Sequence, residues 1–216
     1  MWILLASSFI LFSCSLAPGN LQVRSVDDLR ARNIKRIAVL PIDSFGAVPG
    51  DKSSYGSSTS AQGKPADPKD PAALVTDFLY SAMMALPHWQ VVSEREVQEM
   101  EGMVRGTTPG QARKLGELVY ADAVLFGRIL RFRERVGEDL GVSSPASVAF
   151  TLQLLDVKRS DIIWTAEYQE TQKALSENLF AIGDFTRRGA KWVKAEELAR
   201  DGVHKAVEQL HQMLYR

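Results

Sequence analysis

Histidines, carboxylates, hydroxyls and one thiol are the residues of this chain that could carry chemistry, and their spacing decides which of them do. His204 and His211 stand seven apart in a segment of helical periodicity, two turns from each other. A metal-binding helix wants its pair three or four apart with a third ligand, so both read as surface histidines. His88 follows Pro87 in a turn and has no partner close in sequence. Asp43 and Asp156 fall at strand ends, where sites often form, yet a turn or capping role accounts for both without chemistry. Ser57 and Ser58 follow Gly56 in a polar stretch, not at the strand-to-helix elbow of a serine nucleophile. No Gly-rich loop follows a strand, which removes the usual cradle for a nucleotide phosphate. Cys14 is the only cysteine, so neither an internal disulfide nor a cage of several thiolates is available. No catalytic, cofactor or metal site is expected.

An aromatic group stands out near the end of the chain. Phe180, Phe185 and Trp192 are interleaved with Arg187, Arg188 and Lys191. Core packing under the terminal helix is one reading. A partner-binding surface centred on Trp192, Arg188 and Phe185 is the other, and the residues alone leave both open.

The elements that must position these residues follow from periodicity. Residues 15–32 are polar and mixed, which suggests a tether. Residues 34–42 form a short β-rich run closed by Pro41, as in a strand buried on both faces. From 46 to 69 the chain is Gly, Ser, Pro, Lys and Asp with hardly an apolar residue, the composition of a mobile, disordered surface loop. Asp70-Pro71 then opens a helix whose apolar stripe runs from Leu74 to Leu86, and Pro87 stops it. Trp89 to Val92 is a second short strand, and Ser93 to Glu96 is a capping box for the helix after it. Thr108 to Gln111 repeats that device for a helix running to Val119.

Ala121 to Phe132 is a third strand whose later half alternates apolar and basic, so one face is expected to be wet. Gly137 to Pro145 is expected as a loop. Ser147 to Val157 and Ile162 to Thr171 are strands joined in a hairpin at Lys158 to Asp161. Ser176 to Ile182 is a short helical candidate, and Ala195 to Tyr215 is a long terminal helix. The order predicts an α/β (α+β) fold: one mixed sheet of about five strands with helices packed on it, ending in an antiparallel meander and a long C-terminal helix.

Bulk composition excludes more than it selects. The 216 residues suit a single domain over 34–216. At 45% hydrophobic and 24% charged, the chain is neither disordered throughout nor a multi-span membrane protein. Its 26 basic residues balance 26 acidic ones, so the footprint of a nucleic-acid partner is missing.

Residues 2–13 are apolar or small, carry no charge, and are too few for a permanent membrane helix. They fit the apolar core of a signal peptide spanning 1–13. Leu11-Phe12-Ser13-Cys14 resembles the bacterial lipoprotein box, although Phe12 is bulkier than usual and no Lys or Arg precedes the run. The resemblance implies that Cys14 is acylated, that the peptide is cut just before it, and that 14–33 is a lipidated tether. Several acyl chains hold a protein on a membrane, each buried methylene contributing about 0.8 kcal/mol. Ser15 is not the Asp that keeps such lipoproteins on an inner membrane, so the resemblance points to the periplasmic face of the outer membrane. A plain signal peptide cut near Ala17, and a buried core strand, are the alternatives.

Further motifs carry a second resemblance. Ile37 to Pro41, Trp89 to Glu96, Ala121 to Gly127, and Leu154 to Val157 followed by Ile162 to Thr165 resemble, in order and spacing, a family of bacterial envelope lipoproteins. That family includes the curli secretion-channel lipoprotein and the penicillin-binding-protein activator lipoprotein, with a fold similar to the TolB amino-terminal domain. It implies a non-enzymatic accessory protein, anchored in the membrane by lipid, that binds another envelope protein in secretion, transport or cell-wall assembly. A homo-oligomer is compatible with it. The segments matching the curli channel's pore hairpins, Arg133 to Pro145 and Glu170 to Lys194, are short, which argues against a channel. An oligomeric secretion-channel component stays as one alternative. A periplasmic ligand-binding protein or hydrolase using scattered residues such as Asp43 and Asp156 is another.

Overall fold

The computed structural model describes residues 20–44, 70–102, 104, 108–138, 141–172 and 194–216. Strands β1 (Leu21–Ser25), β2 (Arg36–Val39) and β3 (Asp43–Ser44) come first, with a 3-10 turn at Leu29–Arg32. Helix α1 (Pro71–Met84), strand β4 (Gln90–Val91) and helices α2 (Glu94–Glu101) and α3 (Pro109–Leu118) follow. Then come β5 (Ala123–Arg133), the short pair β6 (Val136–Glu138) and β7 (Gly141–Ser144), and β8 (Ser147–Asp156). Strand β9 (Asp161–Thr171) and helix α4 (Ala195–Tyr215) complete the order.

The helix starts are built locally. Asp70 accepts a bond from the Ala72 amide at 3.0 Å and Pro71 takes the first helical position, where its missing N–H costs nothing. Ser93 accepts from the Glu96 amide at 3.3 Å, but the Glu96 carboxylate does not reach back. It accepts instead from Arg36 of β2 at 2.9 and 3.2 Å, so half of the expected capping box becomes a tertiary contact. At α3 the Gln111 side chain does return to the Thr108 amide, at 3.1 Å.

The described strands form one seven-stranded mixed sheet and a separate two-stranded hairpin. The main order is β1-β9-β8-β5-β2-β4, with β3 also pairing with β5. Strands β1, β9 and β8 run antiparallel to their neighbours and β5 is antiparallel to β8, whereas β2 is parallel to both β5 and β4 and β3 is parallel to β5. The central, parallel β2 reads Arg-Ile-Ala-Val, and its last three residues are buried, as expected for a strand covered on both sides.

One face of the sheet carries Phe150, Leu152, Leu154, Trp164 and Tyr168, packed under α1 and α4. Gly202 lets α4 come down on β9, because a Cβ there would lie 2.5 Å from the Tyr168 ring. The other face carries a smaller core, in which α2 and α3 pack on Ala38, Leu40, Val124, Phe126 and Leu155.

The α/β (α+β) expectation holds, with three differences. Residues 21–25 are not part of a tether: all five pair antiparallel with β9, so the ordered fold begins before residue 34. The signal is a weak alternation of Leu21 and Val23 with Gln22 and Arg24, ordinary for an edge strand. The expected loop from Gly137 to Pro145 contains most of the β6–β7 hairpin. The sheet therefore has seven strands where about five were expected, β1 and the two-residue β3 making the difference. In the hairpin from 158 to 161, Ser160 supplies the left-handed φ of 63° for which glycine is the usual choice.

Candidate functional site

At one end of the sheet, where the β8–β9 hairpin turns, Arg32 is buried among three carboxylates. Its side chain is 6% exposed and donates to Asp156 at 3.0 Å, to Asp161 at 2.8 and 3.0 Å, and to Asp28 at 3.2 Å. Arg159 closes the ring on Asp28 at 3.0 Å. The Asp161 bond raises the Arg32 pKa further above its ordinary value against the effect of burial, so the guanidinium stays charged. Bonding to Arg32 is the main cause that holds the Asp28 carboxyl below its usual range. Asp156 also accepts from the Arg159 amide at 3.0 Å, the turn role expected of it. A cavity of about 290 Å³ beside this ring is lined by Arg32, Asp122, Asp156 and Arg159 among others. Asp122 is itself engaged, accepting from the Lys35 and Arg36 amides at 2.9 and 2.8 Å.

Asp43 and Asp156 do not share a site. Asp43 lies opposite Arg128 on β5, whereas Asp156 lies opposite Ala123. Five residues of strand separate the two positions, about 16 Å at ~3.3 Å per residue. A hydrolytic pair made of these two carboxylates is ruled out by that distance.

The histidines are arranged otherwise than their spacing suggested. His204 is exposed, but His211 is 8% exposed and its Nε2 lies 2.9 Å from the Pro87 carbonyl oxygen. His88 does have partners: its ring stacks 5.8 Å from His211 and lies 5.6 Å from Tyr215. Trp89 meets His211 edge-on at 5.1 Å and donates to the Met83 carbonyl at 2.7 Å. The Tyr215 hydroxyl donates to the Ile34 carbonyl at 2.6 Å, and burial, with the Asp122 charge adding, raises its pKa. This cluster fastens the end of α4 to the α1–β4 turn. No set of three or more metal-ligating side chains occurs among the described residues. Sequence spacing missed the cluster because 124 residues separate Pro87 from His211.

The opposite end of the sheet is different in kind. On the face away from α1 and α4, Arg128, Arg131 and Arg133 of β5 stand opposite Thr151, Ala149 and Ser147 of β8. A bulge falls between Ile129 and Arg131, and it turns Leu130 outward, 53% exposed. Arg131 donates to the Ser147 hydroxyl at 2.7 Å, and Arg133 is exposed. Towards β1 the same face continues with exposed Gln169, Glu167, Gln22 and Arg24, the last paired with Glu167 at 2.6 Å. The basic alternation of β5 was legible in the sequence, and its wet face is present. The outward leucine was not, because a bulge shows no sequence signature here.

Cys14, Phe185, Arg188 and Trp192, the signal-peptide segment 1–13 and the stretch 46–69 lie outside the described residues. Among the described residues, no helix is long and apolar enough to cross a membrane.

The architecture defined by these observations is an open mixed sheet with a long C-terminal helix, a class with solved examples. A PelC dodecamer structure from Paraburkholderia phytofirmans is similar at 16% identity and a TM-score of 0.49, over 89% of this chain and 98% of that one. The LpoB C-terminal domain from Escherichia coli is similar at 16% identity and a TM-score of 0.40, over 64% of this chain and 83% of that one. Lipoprotein GNA1162 from Neisseria meningitidis is similar at 13% identity and a TM-score of 0.41, over 72% of this chain and 93% of that one. At such identities and TM-scores the likeness concerns the fold and extends to no partner, activity or oligomer. No family model matches the chain, and its sequence finds no match among curated proteins.

Proposed function

We propose that this chain is a non-enzymatic accessory protein of the bacterial envelope. In this reading it hangs by lipid on Cys14 from the periplasmic face of the outer membrane and acts as a scaffold for another envelope protein. The carrying observation is the uncharged apolar run of residues 2–13 that ends at the chain's one cysteine, followed by serine. Two features of the folded part support it. Two carboxylates and one histidine that could have done chemistry are engaged in structural bonds: Asp156 with Arg32, Asp122 with two amides, and His211 beside Pro87. The ordered sheet also begins at Leu21, directly after a short segment from the cysteine, as a tethered domain requires. Mass spectrometry of the protein from its native membrane tests the anchor. The expected mature terminus is an acylated Cys14; an unmodified Cys14, or a terminus elsewhere, overturns the reading. Crosslinking in native membranes tests the scaffold. A single envelope protein should co-purify, and Trp192→Ala with Arg188→Glu should abolish its capture if that segment is the docking surface.

A further inference from the structure

We propose that the basic rim of the sheet, Arg131 and Arg133 with the outward Leu130, rests on the anionic headgroups of the membrane that carries the anchor. The proposal rests on the reading of Cys14 as that anchor and adds the orientation of the domain to it. Six residues lie between Cys14 and Leu21. Seven chain steps of at most ~3.6 Å reach no farther than about 25 Å, whatever their conformation. The first strand is therefore held beside the bilayer, starting end foremost.

The register of the sheet shows what lies at that end. The Gln169 amide donates to the Asn20 carbonyl at 2.9 Å, Gln169 pairs with Ala149, and Ala149 pairs with Arg131. Asn20, Gln169, Ala149 and Arg131 thus form one row across four strands. Three strand spacings of ~4.8 Å put the arginine about 14 Å from the point where the tether enters. That is shorter than the tether, so anchor and rim reach the same surface together. Arg133 lies farther along β5, beyond that row.

The chemistry of the rim suits a lipid surface. Arg131 and Arg133 share one face of β5, and the β8 residues opposite them, Ala149 and Ser147, are uncharged. Asp43 of β3 lies opposite Arg128 on this face, so that arginine stands beside a carboxylate, and Glu167 farther across is bonded to Arg24; Arg131 and Arg133 lie beyond both along β5. Leu130 sits beside these two cations with its side chain in solvent, which is the arrangement of an interfacial contact: an apolar tip entering between headgroups that the cations hold. Cations near an anionic membrane act additively, and salt weakens them.

The test uses the full chain with Cys14→Ser, so that no acyl chain contributes, and vesicles of phosphatidylglycerol with phosphatidylethanolamine against vesicles of phosphatidylcholine. The uncharged run 2–13 partitions into both, so the difference between them reads the rim. Sedimentation should favour the anionic vesicles and fall with salt. Each arginine removed by Arg131→Gln or Arg133→Gln should weaken the anionic preference about fivefold, and Arg133→Lys should keep it. Arg95→Gln with Arg113→Gln, on α2 and α3, should leave it unchanged. If Arg131→Gln fails to fold, Arg133→Gln alone carries the measurement. Equal binding to both vesicles, no loss in the rim variants, or the same loss in the helix variants would overturn the proposal; the first result would leave the rim to an acidic protein. Mass spectrometry of the wild-type chain reads the anchor separately, so the two ideas fail by different results.

Discussion

The two ends of the sheet use arginine in opposite ways. At the β8–β9 turn, Arg32 is buried and shared by Asp28, Asp156 and Asp161, and Arg159 completes the ring. At the rim where β5 ends, Arg131 is held by the neutral Ser147 hydroxyl and Arg133 reaches into solvent. A guanidinium that gives up water needs carboxylates of its own, and an exposed one does not. The first end is a clasp that ties the segment after β1 to the β8–β9 hairpin. The second keeps its charge available to something outside the chain. The difference teaches that counting arginines in a balanced sequence reveals little until burial sorts them.

Removing the clasp should have the largest effect. Arg32→Ala leaves Asp156 buried without its cation, and unfolding in denaturant should show a loss of about 3–5 kcal/mol. A loss below 1 kcal/mol would mean that the two ends do not differ as described. Next comes the packing beside the clasp. A Cβ on Gly116 would press into the Val157 and Val124 side chains, so Gly116→Ala should cost about 1–3 kcal/mol in the same experiment.

Acid sharpens the contrast further. The folded Asp28 carboxyl titrates below its ordinary 3.8, so the unfolded chain takes up the proton first. Stability from this group is full above about pH 4, falls as pH drops below 3.8, and is gone once the folded carboxyl protonates. Melting temperatures measured from pH 5 to pH 3 should therefore decline less steeply for Asp28→Asn than for the wild type. The smallest effect belongs to the rim: Arg133→Ala should change unfolding by less than about 0.5 kcal/mol, since an exposed side chain leaves no buried partner behind.

Much of the fold was legible from periodicity. The terminal helix from Ala195 to Tyr215 has the bounds its apolar stripe indicates, and β8 and β9 lie within a residue of their expected ends. Edge strand β1 was not, because an edge is stabilised by pairing with β9, 139 to 147 residues away, and needs few apolar residues of its own. Glu96 shows the same limit at one side chain. The local motif offers it the Ser93 amide, and the fold offers the charged Arg36, a stronger bond.

What the sequence by itself determined is local: where helices begin and end, which strands are covered on both faces, and that one cysteine closes an uncharged apolar run. Those follow from spacing of 3.6 and 2 residues and from the side-chain chemistry of caps and turns. Only the tertiary structure decided that His211 is buried beside Pro87, that Asp43 and Asp156 stand far apart, and that Arg32 and Arg131 lead different lives. The physical reason is burial. Whether a polar group keeps its water depends on contacts between residues more than a hundred positions apart, and no window of the sequence contains both partners.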